Sequence, residues 1–127
     1  MTDINQEFQR ALKFQKEGKL QEAESIYINI LKSDSDLVAS LINLGLIEQS
    51  QGKLEEATQF YKYAFHIDSN NISLLYLLAK ITQELNQLDE AISYWQQLVQ
   101  LKPDGTLEFY GNIGNSLVQQ GKFDEAL

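Results

Sequence analysis

A six-residue phrase recurs four times along this chain: Gly18-Lys19-Leu20-Gln21-Glu22-Ala23, Gly52-Lys53-Leu54-Glu55-Glu56-Ala57, Asn86-Gln87-Leu88-Asp89-Glu90-Ala91 and Gly121-Lys122-Phe123-Asp124-Glu125-Ala126. Successive copies begin 34, 34 and 35 residues apart. That interval is too short for an independent domain and is the size of one supersecondary unit. It therefore predicts stacked units, each burying its apolar face against a neighbour, rather than a single enclosed core.

The residues around the phrase set the type of unit. Before it stand Leu41, Leu44 and Gly45, then Leu75, Leu78 and Ala79, then Tyr110, Ile113, Gly114 and Leu117. Offsets of three and four place such residues on one stripe of an amphipathic helix. After it, Leu20, Ala23, Tyr27 and Leu31 recur as Leu54, Ala57, Tyr61 and Phe65, and again as Leu88, Ala91, Trp95 and Val99, so a second helix follows. The reversal between the two helices calls for a left-handed residue at Gly18, Gly52, Asn86 and Gly121. Asparagine is, after glycine, the residue that accepts that conformation most readily.

Small residues recur at Ala11, Gly45, Ala79 and Gly114 on the first helices and at Ala23, Ala57, Ala91 and Ala126 on the second, where they let two backbones cross closely. Tyr27, Tyr61 and Trp95 are expected to pack against the following unit. Thr2 or Asp3 is expected to cap the opening helix, and Ser33-Asp34-Ser35-Asp36, Asp68-Ser69-Asn70-Asn71 and Lys102-Pro103-Asp104-Gly105 to separate the units. The extra residue of the last interval falls in the turn Pro103 to Thr106. The expected organisation is one all-α array over 1–127, with units at 4–37, 38–71, 72–106 and 107–127.

Composition removes several function classes. There is no cysteine, which excludes disulfides, thiolate metal sites and cysteine nucleophiles. Ten Lys and Arg against 18 Asp and Glu give a net charge of −8, and the cations are scattered, which argues against a nucleic-acid partner. The first residues lack the basic and apolar regions of a signal peptide, and the longest apolar stretch, Ile72 to Ile81, is far short of a membrane span. The expectation is a soluble, cytoplasmic chain with no membrane partner.

Acidic pairs such as Glu55-Glu56 and Asp89-Glu90 fall in the first turn of a second helix, where negative charge complements the helix dipole; they read as structural rather than catalytic. His66, the lone histidine, reads as a surface residue at a helix end. No phosphate-binding glycine loop, nucleophile elbow or zinc spacing occurs. Neither catalysis nor a cofactor is expected.

The spacing and residues resemble the tetratricopeptide repeat, a 34-residue helix-turn-helix of the form W-x2-L-G-x2-Y, then A-x3-F, then P. Tyr110, Ile113, Gly114 and Leu117 match its first half; Ala91, Trp95 and Pro103 match its second; Leu41, Leu44, Gly45, Ala57 and Tyr61 match across the second unit. The resemblance covers nearly the whole chain and implies a right-handed α-solenoid. In the first unit Glu7 and Arg10 stand where large apolar residues are usual, as a solvated terminal cap requires. The fourth unit stops at Leu127, one turn into its second helix, so the sequence reads as the N-terminal part of a longer protein. The alternative is that the fourth first-helix serves as a makeshift cap with an exposed apolar patch.

In that family the first helices line the concave face of the superhelix and partner peptides lie along it. The resemblance therefore implies a lining of Phe8, Leu12 and Gln15, of Ile42, Leu46 and Gln49, of Tyr76, Lys80 and Gln83, and of Asn115. Phe8, Leu12, Ile42, Leu46 and Tyr76 form an apolar strip, and Gln15, Gln49 and Gln83 a row of amides. Both sets are expected to point away from the seam within each unit, leaving the strip to anchor a peptide's side chains and the glutamines to bond its backbone.

The clamp by which some members grip a chaperone's terminal carboxylate is absent, because Phe8, Leu12, Ser73 and Leu77 fill its places and only Asn43 fits. The asparagine ladder of sugar-transferring members is represented by Asn43 and Asn112 but interrupted by Gln9 and Leu77. The resemblance thus implies an interaction scaffold with a protein or peptide partner. The alternatives are an accessory region of a longer enzyme, and self-association through Phe109, Phe123 and Leu127.

Overall fold

Within a computed structural model, residues 4–32 and 37–121 are described here. Among them are seven α-helices and no strand: α1 (Ile4–Lys16), α2 (Leu20–Lys32), α3 (Leu37–Ser50), α4 (Leu54–Ile67), α5 (Ile72–Glu84), α6 (Leu88–Leu101) and α7 (Thr106–Gln119), with a 3₁₀ turn at Pro103–Gly105. They fall into two compact groups, Met1–Ile67 and Asp68–Leu127.

Every helix pair closes in the same way, and the repeated phrase is the reason. Gly18 and Gly52 both have φ +79°, Asn86 has +64° and Gly121 +73°. At the first turn the Gly18 amide donates to the Gln15 carbonyl (3.1 Å) and the Lys19 amide to the Phe14 carbonyl (2.8 Å). Gly52 with Lys53, and Asn86 with Gln87, repeat the pattern. This paired arrangement satisfies carbonyls that a helix end would otherwise leave without partners. The Gln87 carbonyl then accepts the Ala91 amide at 3.1 Å as α6 begins.

In the first group the core holds Ala11 of α1, Ala23, Ile26, Tyr27 and Ile30 of α2, and Leu44 and Ile47 of α3. The small residues serve as expected: Ala11, Ala23 and Ala57 have no exposed surface, and the buried Gly45 lies directly against the Tyr61 ring. In the second group Leu74, Leu75, Leu78, Ala79 and Ile81 of α5 are buried, as are Ala91, Trp95 and Leu98 of α6. Asn71 caps α5 through its side-chain oxygen, which accepts the Leu74 amide at 3.0 Å. The extra residue of the last interval is taken up at the head of α7, where Gly105 passes beneath the Phe109 ring.

Trp95 does stack on the following helix, its ring 5.8 Å from Phe109 of α7. Tyr61 lies on Gly45 and Gln49 of its own helix pair. The reason is local: glycine at position 45 leaves a recess one ring wide. The expected caps at Thr2 and Asp3, the separator Ser33 to Asp36, and Ala126 lie outside the described residues.

Candidate functional site

The implied lining residues sit on first helices throughout: Phe8, Leu12 and Gln15 on α1, Ile42, Leu46 and Gln49 on α3, Tyr76, Lys80 and Gln83 on α5, and Asn115 on α7. Their surroundings divide them into three kinds.

The glutamines are tied into the fold, which corrects the expectation that they stand clear of the helix pair. The Tyr27 hydroxyl donates to Gln15 Oε1 (2.9 Å), the Tyr61 hydroxyl to Gln49 Oε1 (2.7 Å) and the Trp95 indole N–H to Gln83 Oε1 (3.3 Å). Each donor lies twelve residues after its acceptor, so one contact is built three times. The physical need is plain, because Tyr27, Tyr61 and Trp95 have no exposed surface and a buried donor without a partner costs about 1–3 kcal/mol. Burial pushes the Tyr27 phenol up to about 12 and also raises that of Tyr61, so both remain protonated donors at neutral pH. The twelve-residue spacing was present in the sequence as a signal.

Phe8 and Tyr76 also belong partly to the packing. Phe8 meets Tyr27 edge-on with centroids 5.6 Å apart, and Tyr76 meets Trp95 edge-on at 5.4 Å. Such pairs contribute about 0.5–1.5 kcal/mol beyond the area they bury. The Tyr76 hydroxyl donates to Glu108 Oε1 of α7 at 3.0 Å, and that bond, followed by burial, raises its pKa.

The remaining members are available. Leu12, Ile42 and Leu46 are half-buried, while Lys80 and Asn115 are exposed. The Lys80 ammonium lies 6.0 Å from the centre of the Tyr76 ring. In the second group Lys80, Gln83 and Glu84 of α5 face Gln119 of α7 across a hollow of about 220 Å³. A larger hollow of about 620 Å³ is lined by residues 86–90 with Gln119 and Gln120.

The expected route to self-association changes as well. Phe109 is 3% exposed, held between the Trp95 ring and the Gly105 backbone, and is not free to meet another chain. Phe123 and Leu127 lie outside the described residues. The exposed apolar groups of α7 are instead Leu107 (90%), Tyr110 (57%) and Val118 (53%). His66 is exposed in the last turn of α4, and among the described residues no group of three or more His, Asp or Glu side chains is placed to hold a metal ion. None of the described helices is long and apolar enough to cross a membrane.

Comparison with known proteins agrees with this geometry. Two family models of the tetratricopeptide repeat match the chain, over residues 48–111 and 8–72. The chain belongs to the tetratricopeptide repeat family, a family of protein-interaction scaffolds. It is similar in fold to MamA AMB-1, with a TM-score of 0.83 at 22% identity, covering 98% of this chain and 68% of that one. A tetratricopeptide repeat protein from Parabacteroides merdae ATCC 43184 gives 0.83 at 26% identity over 93% of this chain and 47% of its own, so this chain spans about half its length. YrrB, described as a TPR protein with an unusual peptide-binding site, gives 0.81 at 24% identity, covering 98% of this chain and 63% of its own. No curated protein matches significantly.

Proposed function

We propose that this chain is a non-catalytic scaffold that binds a peptide segment of a partner protein along its first helices. The observation that carries the reading is on α3. That helix buries Leu41, Leu44 and Ile47, and Ile42 and Leu46 form a second apolar set that keeps part of its surface exposed. A helix in water gains nothing from a second apolar set unless something covers it. Leu12 on α1 has the same character. The fold shared with YrrB supports the reading by analogy, since fold alone does not dictate function.

The test selects binders to the full chain from a displayed library of random short peptides and compares capture of the enriched pool by variants. Leu46→Lys is the informative change, because a lysine there extends its charge to water without disturbing the buried seam. It is expected to weaken capture at least about tenfold, the equivalent of one buried apolar side chain, with the circular dichroism spectrum unchanged. Undiminished capture would reject the site. A second reading, self-association through α7, is favoured by the exposure of Leu107 and Tyr110. Light scattering over a concentration series tests it, a constant mass counting against it.

A further inference from the structure

The Gln83 contact differs from its counterparts in one chemical respect. A tyrosine hydroxyl both donates and accepts, so the amides of Gln15 and Gln49 can be reversed without losing their bond to Tyr27 or Tyr61. The Trp95 indole N–H only donates. It is fully buried and bonded to Oε1 of Gln83, so a reversed amide would set two donors against each other. The oxygen of Gln83 must therefore face the core and its NH₂ group must face away. Gln83 lines the hollow between α5 and α7, and its Nε2 donates no hydrogen bond among the described residues.

We propose that Gln83 is a donor-only contact for a main-chain carbonyl oxygen of the bound peptide, its polarity fixed from behind by Trp95. This deepens the peptide reading above and rests on it. Lys80 on the same hollow adds a second donor for an oxygen ligand. Glu84, also on the hollow, sets a negative charge against a carboxylate and so favours a neutral carbonyl.

Gln83→Glu separates this role from the structural one. The carboxylate still accepts the Trp95 N–H but offers no outward donor at neutral pH. With the enriched peptide pool as probe and the full chain as target, Gln83→Glu is expected to bind about tenfold more weakly. The Trp95 indole proton should meanwhile stay protected from exchange and the thermal midpoint should stay near that of wild type. Gln83→Met, which removes acceptor and donor together, should lose both binding and indole protection. If Gln83→Glu binds within about twofold of wild type while Leu46→Lys does not bind, the donor assignment is overturned and the peptide site stands. If both variants bind as wild type does, or if no pool can be enriched, the peptide reading fails and takes this proposal with it.

Discussion

Replacing Gly45 with alanine adds one carbon where α3 lies directly against the Tyr61 ring. That Cβ would stand 2.3 Å from Cε1, 2.7 Å from Cδ1 and 2.9 Å from Cζ of Tyr61. The ring has little room to retreat, because Tyr61 is fully buried and its hydroxyl is held by Gln49, one turn further along the same helix as Gly45. Forcing the helices apart costs about 1–3 kcal/mol, typical of an overpacked core. Weakening the Tyr61–Gln49 bond adds about 1 kcal/mol. Against this, alanine gains roughly 0.8–1 kcal/mol over glycine inside a helix. The balance is a loss of about 1–3 kcal/mol.

Gly114 occupies the same place in the fourth unit and serves as the control, since no atom lies within 4 Å of the Cβ it would carry. Gly114→Ala should keep only the propensity gain and stabilise by about 0.5–1 kcal/mol. Urea unfolding followed by far-ultraviolet circular dichroism reads both variants as midpoint shifts at constant slope. A Gly45→Ala chain as stable as wild type, or a Gly114→Ala chain destabilised to the same degree, would refute the reasoning.

Two further predictions concern the turns and a buried acid. Gly52→Val should cost about 1–3 kcal/mol in thermal melts, because φ of +79° forces a β-branched side chain against its own carbonyl, whereas Asn86→Gly should be neutral or slightly stabilising; equal losses in the two would remove the left-handed requirement. Glu48 of α3 is buried, and that burial, with the nearby charge of Glu24, raises its pKa although Lys53 at 3.9 Å opposes the shift. Its native form therefore holds a proton that the unfolded chain releases, so stability is highest below the ordinary carboxylate pKa and declines as pH rises through the native value, by at most about 1.4 kcal/mol per pH unit. Glu48→Gln should flatten that decline and melt above wild type at neutral pH; parallel curves for the two proteins would contradict it.

The positions of the turns, the pairing of helices and the family were legible in the residues because they rest on local rules. A left-handed backbone at Gly18, Gly52, Asn86 and Gly121 is a property of each residue and its immediate neighbours, and the apolar stripes follow from helical spacing alone. The placement of the implied lining on first helices followed from that register.

What each lining side chain is engaged in was decided by tertiary structure. The glutamines look alike as polar residues on a helix surface, yet their oxygens are taken by donors that α2, α4 and α6 bring against them from twelve positions away. Phe109, an aromatic residue near the end of the chain, is buried because α7 folds it onto Trp95, while its neighbours Leu107 and Tyr110 remain outside. Periodicity fixes which way a residue faces around its own helix axis. Only the approach of a second helix determines what it meets there, and a hydrogen bond or ring contact depends on that meeting to within a fraction of an ångström.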